Sequence, residues 1–270
     1  MKILVSCAVL PDLEALASED WHADEQKQIN TAFAPLDWNA CDESALELSL
    51  RLSAQDGKEP VERCAMTIGP KNRERFLKTL AALRFDRLIR IDDDGADLRF
   101  APQAVAQIIA ETAREEQADV ILTGRQNPIG ENAMTPLLVA ELLHIPCLTQ
   151  VMQMEWLDEK EIRVVCRVDG GLRTYCVKTP CVLSVGDVPG TYLRVPTLKD
   201  KMKYGKLPIA QKTIHDFPQA VHCLEEAACQ LEDLRPVIQE REGKRIPGET
   251  MEEMVHNLME TVLKGRLIQE

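Results

Sequence analysis

Between Lys2 and Pro146 four strand-length apolar runs alternate with four helical patterns, and this alternation constrains the chain more than any other feature. Lys2 to Leu10 is a continuous apolar run, as a strand buried on both faces of a parallel sheet requires. Val61 to Ile68, Leu88 to Ile91 and Asp119 to Thr123 repeat it. The segments between carry helix signals. Asp37 to Leu52 opens on capping residues and then spaces Leu46 and Leu50 by one turn. Asn72 to Arg84 sets Phe76, Leu77, Leu80 and Ala81 on one face, and the Gly69-Pro70 pair turns the chain before it. After the acidic turn Asp92 to Asp97, a helix has Pro102 in its first turn and Val105, Ile108 and Ile109 on its apolar side. A fourth runs from about Glu131 towards Pro146. Right-handed helical crossovers between such strands make an α/β fold with a doubly wound, mostly parallel sheet, Rossmann-like in architecture.

Outside that alternation the pattern changes. Residues 12 to 33 are too long for a βα connection and predict a surface excursion with a short helical or hairpin piece. Past Pro146, Gln150 to Trp156 and Glu161 to Val168 flank a turn, and Leu172 to Lys178 and Cys181 to Val185 follow, predicting an antiparallel extension. Cys166, Cys176 and Cys181 in these runs read as small core residues. Residues 190 to 212 carry Arg194, Lys199, Lys201, Lys203, Lys206 and Lys212 against Asp200 alone, a local excess of five positive charges. From Phe217 two helical patterns, Gln219 to Leu231 and Thr250 to Leu263, have no core of their own and must dock on something. The expected organisation is an α/β domain with its extension (1–189), a basic loop or linker (190–212) and a C-terminal helical arm (213–270).

Composition removes several functions. A formal net charge of −12 argues against nucleic acid, which needs a net basic face. Nine cysteines, an odd number with no CxxC pair, fit neither a zinc module nor a disulfide framework, and the five histidines have no metal-ligand spacing. No run of about 20 apolar residues predicts a membrane span. The opening MKILVSCAVLPD lacks a cleavage site and ends in Pro-Asp, so it reads as the first strand of a cytoplasmic protein with reduced thiols.

Asp119 to Pro146 is the candidate site. DVILTGRQNPIGENAMTPLLVAELLHIP leaves a strand, passes through a polar, glycine-flanked loop and enters a helix N-terminus, where free N–H groups and the helix dipole favour anions. No GxGxxG and no GxxxxGK followed by Ser or Thr is present. Gly124, Arg125, Gln126, Gly130 and Thr135 have the chemistry of a phosphate cradle, and an ordinary βα loop has the same composition. No Ser, Cys or Asp stands in a nucleophile context, so no catalytic residue is expected.

In order along the chain, these stretches resemble the β subunit of electron-transfer flavoproteins. MKILVSCAVLPD is similar to that family's opening strand and Pro-Asp turn, and DWNACDESALEL to its Asp-x-Asn-Ala helix start. TIGP matches a strand-end Gly-Pro, and TGRQNPIGENAMTP resembles the nucleotide loop. RVDGGLRTYCVKTPCVLSV is similar to the Asp-Gly-Gly hairpin, YLRVPTLKDKMKYGKLPI to the partner-recognition loop, and IPGETMEEMVHNLMETVLKGRLI to the C-terminal helix. The resemblance covers nearly the whole chain.

The resemblance implies an adenine-nucleotide α-hydrolase-like sheet and an electron carrier without its own substrate, acting as an αβ heterodimer. An FAD is shared with the α subunit, which holds most of it, and this chain's loop holds AMP in simple carriers or a second FAD in bifurcating ones. By position Cys7 and Ala8 would lie near the adenine, Asn39 at the helix start and Ile68 at the Gly-Pro turn. Gly124, Arg125, Gln126, Gly130, Glu131, Asn132 and Thr135 would surround ribose and phosphate. Val195, between Leu193 and Leu198, would be the apolar tip gripped transiently by an acyl-CoA-type or other flavin dehydrogenase, while the C-terminal arm docks on the α subunit. Departures mark a divergent paralogue with its own α partner. Ile129 and Met134 stand where the family has polar loop residues, Ala8 replaces a Lys, and Arg167 and Arg173 reverse charge in the hairpin. The alternative is a regulatory or sensor module that binds an adenine nucleotide without redox work, and the presence or absence of a flavin separates the two.

Overall fold

The computed structural model describes residues 1–25, 27–53, 61–130, 133–158, 160–226, 231–235, 243 and 245–264. They fall into two compact units, Met1–Leu234 and Arg235–Glu270. The first begins with β1 (Lys2–Ser6), β2 (Val9–Pro11), β3 (Leu36–Trp38), α1 (Ala40–Ser53), β4 (Glu62–Ile68) and α2 (Glu74–Ala82). It continues through β5 (Arg87–Asp92), α3 (Pro102–Glu116), β6 (Val120–Gly124) and α4 (Thr135–Leu143). Then come β7 (Cys147–Trp156), β8 (Glu161–Val168), β9 (Gly171–Lys178), β10 (Cys181–Val185), α5 (Leu198–Tyr204), β11 (Ile209–Thr213) and α6 (Pro218–Glu225).

Nine of these strands form one sheet in the order β11-β5-β4-β1-β6-β10-β7-β8-β9. Neighbours from β11 to β7 are parallel, and β8 and β9 add on antiparallel. The runs are mostly apolar because both faces are covered, and the buried Arg90 of β5 is paired with Glu74 and Asp92. In β1, Ile3 and Val5 join a core with α1 and α2 residues such as Leu46 and Leu80, while Leu4 joins another with Ile108, Val139 and Phe217. Each fully buried side chain of this kind contributes about 2 kcal/mol. From β1 the chain builds β4 and β5 on one side, then crosses to place β6 on the other. The strand ends therefore part between β1 and β6, at the switch point of the fold.

Several elements depart from the local pattern, each for a tertiary reason. The run Lys2 to Leu10 is split, since β2 leaves the sheet to pair antiparallel with β3. The excursion contains two 3-10 turns, Leu13–Ala15 and Ser18–Asp20, and an isolated bridge between Ala23 and Ile29. β10 belongs to the parallel part, between β6 and β7, and all five of its residues are buried, as for any central strand. Cys166 and Cys181 are buried, but Cys176 is exposed because β9 is the sheet's edge and turns alternate residues to solvent. The basic stretch contains α5, capped by the Thr197 hydroxyl accepting from the Asp200 N–H (3.1 Å), and β11, the opposite edge strand. Ile214, Phe217 and Ala220 are buried in the core of this same unit.

The second unit carries α7 (Met251–Leu258), whose first turn is capped by Thr250. Met251, Met254, Val255, Leu258 and Met259 recur at helical spacing, an apolar stripe whose residues are 38 to 76% exposed. Among the described residues no helix is long and apolar enough to cross a membrane.

Candidate functional site

Three segments converge at the switch point: the link after β1, the start of α1 and the loop after β6. One buried carboxylate holds them together. Asp42 Oδ2 accepts the Ala8 N–H (2.9 Å) and the Asn39 Nδ2 amide (2.9 Å), and Oδ1 accepts the Gly124 N–H (2.6 Å). Asn39, also buried, donates its Nδ2 to the Gln126 carbonyl as well (2.9 Å). Burial pushes the Asp42 carboxyl up to about 6, against the three donors that pull it down. At neutral pH it is mostly ionised and serves purely as an acceptor.

A cavity of roughly 700 Å³ opens over this junction. Its loop side is shaped by the Arg125 N–H donating to the Val185 carbonyl (2.7 Å) and the Ile129 N–H donating to Asn127 Oδ1 (2.9 Å). Gly130 sits at φ +86°, a turn that a side chain would strain. α4 starts at Thr135 with no side-chain cap, and Pro136 in its first turn has no N–H to satisfy. The Thr123 hydroxyl, buried on the cavity wall, has no hydrogen-bond partner among the described residues. Leaving such a group unmatched costs about 1–3 kcal/mol, and a polar ligand would recover it.

Cys7, Ala8, Asn39, Ile68, Gly124, Arg125, Gln126, Gly130 and Thr135 all line this cavity. Glu131 and Asn132 lie outside the described residues. The lining residues are not equally available. Both backbone groups of Ala8 are spent, the N–H on Asp42 and the carbonyl accepting the Asn39 N–H (3.0 Å). The Cys7 thiol donates to the Met66 carbonyl (3.3 Å), and burial pushes it well above its ordinary value, so it is a wall rather than a nucleophile. Sequence reasoning missed Asp42, Thr123 and Arg73. For Asp42 a signal existed, the Asn39-x-x-Asp42 spacing at a helix start, where the acid passes for an ordinary first-turn residue.

The opposite face of α1 holds the segment leading to Val195. The Ser44 hydroxyl accepts the Val188 N–H (3.2 Å), Glu43 accepts the Leu193 N–H (3.1 Å), and Glu47 takes a two-pronged contact from Arg194 (2.7 and 3.0 Å). Burial works to raise the Glu47 carboxyl, but hydrogen bonds from Arg194 and Arg51 hold it below its ordinary value. Leu193 packs on the core, whereas Val195 is 83% and Leu198 74% exposed. Tyr192 and Met202 extend that exposed apolar strip. Arg194 is spent on Glu47, Lys212 on Glu115, and Lys203 lies over the Tyr204 ring (4.9 Å).

A doubly wound sheet with a cavity at its switch point defines a Rossmann-like architecture. The electron transfer flavoprotein domain matches residues 31–212, and the chain belongs to that family. Over 268 residues, 99% of both chains, it is 32% identical to an Escherichia coli (strain K12) protein provisionally named electron transfer flavoprotein subunit YgcR. It is 31% identical to the electron transfer flavoprotein subunit beta of Bradyrhizobium diazoefficiens over 70% of this chain and 73% of that one. With the subunit beta of Dictyostelium discoideum the identity is 26%, over 90% of this chain and 91% of that one.

Proposed function

We propose that this chain is the β subunit of a cytoplasmic, heterodimeric electron-transfer flavoprotein and that its cavity holds a structural nucleotide, AMP or FAD. The observation that carries the nucleotide is the switch-point junction, where Asp42 and Asn39 fix the loop after β6 beside the unmatched Thr123 hydroxyl. The residues present fit such a group. Gly124 and Gly130 admit close backbone approach, the N–H groups at the start of α4 suit a phosphate, and Thr123 offers a hydroxyl to ribose or phosphate. A flavin held between this chain and an α-type subunit supplies the electron exchange.

The chain's own work is to hold and to dock. α1 joins the two tasks, since Asn39 and Asp42 on one side set the cavity while Glu43, Ser44 and Glu47 on the other pin residues 188–194. The apolar stripe of α7 suits burial against an α-type partner. Arg167 and Arg173, exposed on the β8–β9 hairpin, suit a partner surface of acidic character. The strip around Val195, ringed by lysines, suits the small, weak interface of a redox encounter with a flavin dehydrogenase.

Co-expressed with an α-type subunit, the chain is expected to purify as a stoichiometric yellow complex that releases AMP or FAD on denaturation. A complex that stays colourless after flavin is added excludes electron transfer and leaves the regulatory reading. Val195→Ala is expected to slow electron exchange with a dehydrogenase about threefold to tenfold, the worth of one to two methyl groups at a small contact, without changing nucleotide content. An unaltered stopped-flow rate removes this strip from the docking surface.

A further inference from the structure

The cavity has a second polar pole that the loop after β6 does not explain. Arg73 lines it at the turn between β4 and α2, and its Nη1 is buried with no hydrogen-bond partner among the described residues. Nearby Arg90 shows what a committed arginine looks like, donating to Glu74 (3.0 Å), Asp92 (2.6 Å) and the Gly69 carbonyl (3.2 Å). Arg73 is positioned rather than paired. Gly69, at φ +144°, leaves it room, since a Cβ there would stand 3.3 Å from Arg73 Cγ. Burial works against its charge, Asp93 on the same cavity wall supports it through space, and Arg75 opposes it.

The position of this pole matters. β4 and β6 flank β1, so their ends stand two strand spacings apart, about 10 Å. That is the reach of a nucleoside monophosphate from its phosphate to the outer edge of its base. Ile68, Pro70 and Phe100 on the cavity wall offer apolar surface to a flat ring. A purine carries ring-nitrogen acceptors on its edge, which a guanidinium can meet.

Building on the nucleotide reading above, we propose that Arg73 recognises the base end of the ligand, donating from its guanidinium to a purine acceptor while the loop after β6 holds the phosphate. The test is calorimetric titration of the full chain, stripped of bound nucleotide, with AMP and with ribose 5-phosphate, which lacks the base. Arg73→Ala is expected to weaken AMP binding about 10- to 100-fold, the worth of one good base contact. Ribose 5-phosphate affinity and the melting temperature of the ligand-free chain should stay unchanged, because Nη1 satisfies nothing inside the protein. Arg73→Lys should recover part of the AMP affinity. A variant that binds AMP like the wild type overturns the role of Arg73 alone. Equal losses for both ligands, or a lowered ligand-free melting temperature, show a structural residue and also overturn it. A wild-type chain that binds AMP, FAD and ribose 5-phosphate not at all removes the nucleotide reading and this inference together.

Discussion

Raising the pH from 5 to 7 is expected to take stability from the folded chain that an Asp42→Asn variant does not lose. The Asp42 carboxyl titrates at about 6 in the fold against 3.8 in its ordinary state, chiefly because it is buried. Between those values the native chain keeps a proton that the unfolded chain has released. The stability linked to this group is therefore fully present below about pH 4 and lost as the pH rises through 6. The total is on the order of 3 kcal/mol, roughly half of it falling between pH 5 and 7. The ligand site should respond in the opposite sense. The ionised carboxylate accepts from Ala8, Asn39 and Gly124, whereas a protonated one brings a donor into a set of donors. Nucleotide retention should thus rise across the window in which global stability falls. Urea unfolding at pH 5, 6 and 7, with nucleotide content measured on the same samples, checks both arms. Equal pH slopes for wild type and Asp42→Asn would sink the assignment.

Gly124→Ala is expected to empty the cavity. A Cβ at this position would stand 2.4 Å from Asp42 Oδ1, 2.9 Å from its Cγ and 3.0 Å from Asn39 Nδ2. Neither neighbour can retreat, because both are buried and each is committed to more than one hydrogen bond. Either Asp42 gives up bonds or the β6 end moves and takes the loop with it. Overpacking costs about 1–3 kcal/mol and each displaced bond about 1 kcal/mol more, so a loss on the order of 3 kcal/mol is expected at neutral pH. Nucleotide affinity should fall roughly 100-fold, the equivalent of 2.7 kcal/mol. The unfolding midpoint and the nucleotide released on denaturation report the two effects. Wild-type nucleotide content in this variant would be false to the clamp described above. At Gly170 a Cβ meets nothing within 4 Å, so the crowding at Gly124 comes from the buried Asp42 and Asn39 packed against it.

Much of the fold was legible because the central sheet writes its own signature. A strand covered on both faces is apolar at most positions, so β1, β4 and β6 announce themselves in a short window. Helix α3 has Pro102 at its start, where proline's fixed φ and missing N–H do no harm, and α4 stops at His144 in the left-handed region before Pro146. The loop after β6 was legible as a loop, since the polar run between Gly124 and Gly130 ends the strand pattern. β10 was not, because CVLSV after a hairpin looks alike whether it extends that hairpin or returns to the centre of the sheet. Cys176 was misread because edge position is a property of the assembled sheet.

The sequence by itself determined the class of fold and the place of the candidate loop, since each rests on local periodicity or turn chemistry, whereas the exposure of Val195 was read only from the fold. Only the tertiary structure decided what the loop is fastened to. Asp42 lies 82 residues from Gly124 in the chain, and its role exists only once α1 and β6 are packed side by side. The unmatched Thr123 hydroxyl and the Arg73 guanidinium were likewise invisible in one dimension. Whether a polar atom has a partner depends on everything around it, and folding is what brings those surroundings together.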